Sequence, residues 1–222
     1  MTVAFQSDGV ALVRGILTAA ECLELARLVA ETATGRSGGS RRLLELAWCQ
    51  SLARRLRERL PVLSTASRVA VQCTYFEKST AQNWLVPIHQ DLAIPVREQR
   101  EAPGFLAWSR KEGEIFVQPP AQVLEQLVAV RVHLDPCSEA DGPLQIVPGT
   151  HNLGVLTPQS AVSAREARGV VACVAELGDA LLMRPLLLHA SSKATGASMR
   201  RVLHFLFGPS ELPHGVQWRH AV

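Results

Sequence analysis

Apolar positions recur along the chain at two different periods, and the change from one to the other falls near residue 68. From 19 to about 31, Cys22, Leu23, Leu25, Ala26, Leu28 and Val29 return at helical spacing, and Thr18 with Glu21 three residues on has the pattern of a capping box. A second helix is predicted over 41–60, where Leu44, Trp48, Leu52, Leu56 and Leu60 line one stripe and Pro61 ends it. The glycine-rich stretch 34–40 separates the two. Beyond Arg68 the pattern shortens to runs of four to eight residues rich in Val, Leu and Phe, bounded by Pro and Gly: 69–76, 84–89, 126–134, 144–147, 170–174, 180–183 and 200–207. Helices followed by many short strands predict a mainly β protein, a sandwich or jelly-roll barrel with the N-terminal helices packed outside. A single domain is expected over 1–222, with a helical buttress at 1–67, a β core at 68–208 and a tail at 209–222. The stretch 95–120, with Trp108, Arg110 and Lys111, reads as irregular: a lid or a surface excursion.

Composition narrows the function classes. A chain of 222 residues, 47% hydrophobic and 19% charged, is long enough for one sizeable core. The net charge of +3 is spread along the chain, with one short basic cluster between Arg54 and Arg59, which argues against a nucleic-acid partner. Five cysteines without a CxxC give neither a disulfide framework nor a zinc knuckle, and they suit a reducing, cytoplasmic setting. No run of 18 apolar residues is present, so no membrane partner is expected. The expected partner is a small-molecule substrate; oligomeric state leaves no mark on the sequence.

The chemistry centres on histidine and aspartate. With seven histidines and five aspartates, chance placement predicts on the order of 0.2 His-x-Asp tripeptides, yet two occur, His89-Gln90-Asp91 and His133-Leu134-Asp135. On a strand, residues i and i+2 share a face, so each pair offers an imidazole and a carboxylate side by side, two corners of a facial metal site. His189, at the end of the apolar run Leu186 to Leu188 and before Ala190, Ser191 and Ser192, is the candidate for the third corner. Such a set leaves three coordination positions open, which suits non-heme Fe(II) with O2 better than structural zinc. Arg200 and Arg201 open an apolar strand, so one of them must point into the barrel, where a carboxylate ligand or an internal Asp or Glu would have to meet it.

Together with Asp141-Gly142-Pro143-Leu144, Val147-Pro148-Gly149-Thr150-His151 and Gly178-Asp179, these residues resemble the phytanoyl-CoA dioxygenase family of Fe(II)/2-oxoglutarate oxygenases, over about 82–207. Phe5 to Val13 is similar to that family's opening strand. The resemblance implies a double-stranded β-helix, cupin-like core, iron ligands His89, Asp91 and His189, and a structural role for His133 and Asp135. It implies that Arg200 binds the distal carboxylate of 2-oxoglutarate, with Ser198 adding a hydroxyl on the same face. Gln72 and Thr74 are candidates for the cosubstrate or substrate, while Asn83, Trp84, Lys78, Trp108, Gln118 and His133 are candidates for substrate contact. His151 is expected to bond within its own turn, and His204, His214 and His220 carry no spacing that marks them. The implied reaction is oxidative decarboxylation of 2-oxoglutarate to succinate and CO2 with hydroxylation of a substrate C–H. Asp91 disfavours halogenation, which in related enzymes goes with a small residue at that position. Two other readings use the same barrel: a binding protein without catalysis, and a metal-dependent cupin hydrolase or isomerase, which would need no Arg200.

Overall fold

The computed structural model describes residues 3–32, 40–64 and 67–222. Helix α1 (Val3–Ser7) leads into strand β1 (Val10–Val13), so the expected opening strand is half helix. Helix α2 (Ala19–Thr32) starts at the predicted capping box: the Thr18 backbone N–H donates to Glu21 Oε2 at 2.8 Å and the Glu21 N–H to Thr18 Oγ1 at 3.2 Å. The break expected at 34–40 lies, apart from Ser40, outside the described residues. The second helix is shorter than predicted. It runs as α3 (Ala47–Arg59), because Ser40 and Arg42 form bridges to Tyr75 and Cys73 along the outer edge of the next strand and Leu43–Glu45 makes only a 3-10 turn. That short stretch covers an edge strand whose N–H and C=O groups would otherwise stand open.

After α4 (Pro61–Ser64) come β2 (Val69–Lys78), β3 (Val86–His89) and β4 (Ile94–Val96), then β5 (Leu106–Lys111) and β6 (Glu114–Gln118). The rest of the chain gives α5 (Ala121–Gln126), β7 (Val128–His133), β8 (Leu144–Ile146), α6 (Pro158–Arg168), β9 (Val171–Cys173), β10 (Ala180–Met183), β11 (His189–Ser191) and β12 (Arg200–Gly208). One sheet has the order β1-β10-β7-β12-β2 and a second β3-β11-β8-β9, and every pairing in them is antiparallel. Successive strands β7 to β12 pass back and forth between the two sheets, the winding of a jelly roll.

The five-stranded sheet separates two environments by the two-residue period of its strands. Leu203, Phe205 and Phe207 of β12, with Val128, Val130 and Val132 of β7, pack outward in one core with Cys22, Leu25 and Val29 of α2 and Cys49, Leu52 and Leu56 of α3. The alternate positions face the second sheet, and there the strands carry Arg131, Arg200 and His204.

The stretch 95–120 corrects the sequence reading: β5 and β6 form a hairpin that, with β4, makes a third sheet of order β4-β6-β5. Its turn, Glu112-Gly113, has positive φ at both residues (53° and 83°), as a two-residue hairpin turn of the I′ type requires. The signal was present as a Glu-Gly pair between Leu106–Lys111 and the apolar Ile115, Phe116 and Val117; β5 hides it by being almost wholly exposed. The segment 209–222 is pinned as well: Val222 exchanges backbone hydrogen bonds with Ala70, and Trp218 is buried. All five cysteines are free, and among the described residues no helix is long and apolar enough to cross a membrane.

Candidate metal centre

The second sheet brings His89 and His189 together. They are register partners on β3 and β11, with ring centroids 4.2 Å apart. The pairing slips here, so that Val86 and His89 oppose Ser191 and His189 with two residues between them on β3 and one on β11. Pro87, which has no N–H to give a ladder, sits in this bulge, and the bulge turns both Val86 and His89 toward the interior. The strand ends at His89, and the Asp91 N–H bonds to Pro185 O at 2.9 Å. Between them Gln90 locks the bend, donating to Gly154 O and Leu186 O and accepting from the Leu156 N–H.

The tautomers of the two imidazoles follow from their outer partners. His89 Nδ1 lies 2.8 Å from Pro87 O and His189 Nδ1 lies 2.9 Å from Leu187 O. A carbonyl only accepts, so each Nδ1 carries the proton and each Nε2 is left with a lone pair. Those Nε2 atoms face Asp91, 3.6 Å from Oδ1 and Oδ2 respectively. Three donor atoms thus gather within 4.8 Å: two imidazole nitrogens and one carboxylate. The donor set fits a ferrous ion with open positions, and the backbone carbonyls behind both rings are the usual second layer of a metal site. Burial pushes His189 down to about 4, so it is neutral and free to ligate at neutral pH. Burial acts against the charged Asp91 carboxyl, but His189 and His89 outweigh it and hold the group well below the ordinary carboxylate range.

The triad opens onto a cavity of about 490 Å3 between the sheets, a volume suited to small molecules. Arg200 reaches it from β12, 3% exposed, its Nη1 donating to Gly142 O. Its Nε has no partner, and it makes no ion pair among the described residues, the state expected of a guanidinium that awaits an anion. Ser191, on the face of His189, donates to the same carbonyl at 2.9 Å and accepts from Lys78 Nζ at 2.7 Å. Lys78 is 1% exposed and burial lowers it to about 8, with Arg200 and Arg131 adding to the effect.

The predicted residues divide. Gln72, Thr74 and Trp84 line the cavity, with Gln72 Nε2 bonded to Thr74 Oγ1. Ser198 is exposed and gives its hydroxyl to Asp141 Oδ1, so it is committed to the turn before Gly142 rather than to the cavity. Asn83 stands on no strand, since β3 begins only at Val86; it clamps the Ala194 backbone with two 2.8 Å bonds. Trp108 and Gln118 lie on the hairpin outside the cavity lining, and Lys78 stands behind Ser191. His133 is buried and is not among the residues lining the cavity; its Nδ1 is unpartnered, and burial, Arg131 and Arg200 push it down to about 3. Asp135 accepts the Arg201 backbone N–H and, side-on, the Nε and Nη2 donors of its guanidinium at 2.7–2.9 Å. His151 bonds to Gln6 O on the first turn of the chain instead of its own turn.

Sequence reasoning missed Ser191, Arg131 and His204, all of which line the cavity. His204 had a legible signal, since it falls four residues after Arg200 on the same strand face. Arg131 had one too: a single charge inside the run VAVRVH of a strand buried along its whole length.

A jelly roll with two imidazoles and a carboxylate on its inner face defines a mononuclear metal enzyme of the facial-triad class. The chain belongs to the phytanoyl-CoA dioxygenase (PhyH) family, whose sequence profile matches residues 5–202. That membership puts it among the iron- and 2-oxoglutarate-dependent oxygenases. No curated protein matches the sequence. Among solved structures, it is similar to the epimerase SnoN in complex with Fe3+, alpha ketoglutarate and nogalamycin RO (15% identity, 95% of this chain and 88% of SnoN covered, TM-score 0.68). HygX from Streptomyces hygroscopicus with nickel and 2-oxoglutarate is similar at 16% identity, 93% and 85% coverage and TM-score 0.63. EctD from S. alaskensis with 2-oxoglutarate and 5-hydroxyectoine is similar at 15%, 94% and 76%, and 0.69. At such identities the likeness speaks for the fold.

Proposed function

We propose that this protein hydroxylates an unactivated C–H bond of a small molecule, with His89, Asp91 and His189 holding Fe(II) and Arg200 holding the distal carboxylate of 2-oxoglutarate. The observation that carries the reading is the pair of inward-facing Nε2 lone pairs converging on Asp91, each fixed by a backbone carbonyl behind its ring. Support for Arg200 comes from its burial without a counter-ion, together with Ser191 and Lys78 beside it. Iron with 2-oxoglutarate and O2 supplies the oxidising power for C–H cleavage, with release of succinate and CO2.

The chain's own contribution is placement. Gln90 and the bulge at Pro87 hold the two ends of the His-x-Asp in one orientation, so little reorganisation is needed when the metal arrives. Arg200 and Ser191, with the apolar Phe76 and Leu144 near them, give a seat in which an anion is bound strongly.

Anaerobic titration of the apoprotein with Fe(II) and 2-oxoglutarate is the test, read by the visible charge-transfer band of the chelate and then, in air, by succinate release and the mass of the product. The band, succinate and a product heavier by one oxygen support hydroxylation. Band and succinate with a product of unchanged mass would make the protein an oxygenase-class epimerase. Fe(II) binding without the band would sink the cosubstrate assignment and return attention to cupin hydrolase chemistry.

A further inference from the structure

We propose that Arg131 is the anchor for a carboxylate on the substrate, so that this enzyme acts on a carboxylic acid seated between the triad and the centre of the larger sheet. The proposal deepens the function proposed above and rests on it. Arg131 stands at the middle of the inner face of β7, 7% exposed, and lines the cavity together with its register partner His204 on β12. Its Nη1 donates to His204 Nδ1 at 3.0 Å, and its guanidinium lies over the Phe76 ring at 5.6 Å. Neither neighbour carries negative charge. Its Nε is sealed without a partner, and its Nη2 makes no hydrogen bond among the described residues.

A buried guanidinium in this state is costly, and the structure offers it no counter-ion. The acidic residue among the cavity-lining side chains is Asp91, and that carboxylate belongs to the triad. Of the cationic side chains that line the cavity, Arg41 is paired with Glu112, and Arg200 with a divalent metal is set against Asp91 and a dianionic cosubstrate, while Arg131 and Lys111 have no carboxylate partner among the described residues. An anionic substrate meets the charge left on Arg131. Arg131 remains charged at neutral pH even though burial and Arg200 lower it to about 10. His204, which accepts from Arg131 and is itself pushed down to about 3 by burial and Arg131, is a positioning residue: it fixes the plane of the guanidinium without adding charge. Lys111 lines the cavity from the hairpin and extends the positive potential toward an arriving anion.

The test uses the intact protein loaded with Zn(II), a redox-silent stand-in for Fe(II), and saturated with 2-oxoglutarate. Titration calorimetry then compares propanoate with propanamide, a pair small enough to enter the cavity and different only in charge and donor pattern. The expected result is that propanoate binds, that propanamide binds about tenfold or more weakly, and that Arg131→Met weakens propanoate by a similar factor. Arg131→Met is also expected to melt no lower than wild type, since it replaces an uncompensated charge with an apolar chain; His204→Leu, which keeps the charge and frees its orientation, should fall between the two. Equal binding of acid and amide, or propanoate binding indifferent to Arg131→Met, would overturn the proposal. So would loss of 2-oxoglutarate itself in Arg131→Met with retention in Arg200→Met, which would move the cosubstrate role proposed for Arg200 to Arg131 while leaving the iron- and 2-oxoglutarate-dependent reaction standing. If the wild-type protein takes up metal but no 2-oxoglutarate, the proposed function falls instead, and the propanoate arms on the metal-loaded protein still decide the role of Arg131.

Discussion

The chain carries the His-x-Asp pattern twice, and the two copies end in opposite surroundings. His89 and Asp91 stand where β3 is bulged and then stops, so both side chains turn to one cavity, and Asp91 faces the two imidazoles with no guanidinium in ion-pair distance among the described residues. His133 ends a strand that is buried along its whole length, and Asp135, beyond the end of that strand, is spent on Arg201, with three bonds of 2.7–2.9 Å. The same two residue types at the same spacing make a candidate metal-binding edge in one place and an ion pair in the other. What separates them is whether the carboxylate already has a guanidinium. A third cluster teaches the same lesson: Glu45, Glu114 and His220 also bring three donors within 4.8 Å, but Arg42 lies 2.9 Å from Glu45 and Arg219 lies 3.6 Å from Glu114. Arginines occupy the negative charge there, so this cluster reads as an ion-pair network.

The comparison breaks most decisively on metal affinity. Asp91→Ala or His189→Ala should weaken Fe(II) or Zn(II) binding by about a hundredfold or more, whereas Asp135→Ala should leave affinity within a few-fold, both read by competition with a chromogenic chelator. Metal lost in Asp135→Ala and kept in Asp91→Ala would reverse the assignment of the two motifs. Stability should invert the pattern. Asp135→Ala strands the partly buried Arg201 and should cost about 1–3 kcal/mol in urea unfolding of the apoprotein, while Asp91→Ala should cost less.

A smaller effect sharpens the difference between the histidines. His133 is held neutral by burial and by Arg131 and Arg200, against the weaker pull of Asp179 and Asp135, and its value of about 3 lies below the ordinary 6.5. Between those two values the unfolded chain binds a proton that the native chain does not. Its contribution is therefore whole above pH 6.5 and declines as the pH falls, by up to about 1.4 kcal/mol per pH unit. Urea midpoints at pH 7 and pH 5 should show the decline, and His133→Gln should make it shallower without abolishing it, since His189 and His204 are also held neutral by burial; an unaltered slope would mean that other groups carry the acid sensitivity. Least of all should change in His220→Ala: metal stoichiometry by mass spectrometry should stay at one per chain, and a second equivalent lost with that substitution would show that the arginines do not fill the third cluster.

Much of this architecture was legible. The switch from helical to short β runs placed the helices and most strands, because burial on one face of an element imposes its period on neighbouring residues directly. The Thr18–Glu21 cap was legible for the same local reason. The hairpin at Glu112-Gly113 escaped because its outer strand buries almost nothing and so bears no pattern. Ser198 and Asn83, expected at the cosubstrate and the substrate, are instead bound to loop partners, Asp141 and Ala194, that a sequence pattern does not reveal.

By itself the sequence determined a mainly β protein with outer helices, from the periods of its apolar residues, and two His-x-Asp pairs with His189 as a candidate third corner, the choice between the pairs being what the family resemblance implies. Only the tertiary structure decided which carboxylate meets a guanidinium and which is left facing two imidazoles on the cavity. It alone brought Arg131 beside His204 in a cavity with no counter-ion for it. The reason is that charge compensation depends on which strands lie side by side, and Asp135 finds Arg201, as His89 finds His189, only when distant parts of the chain are paired in register.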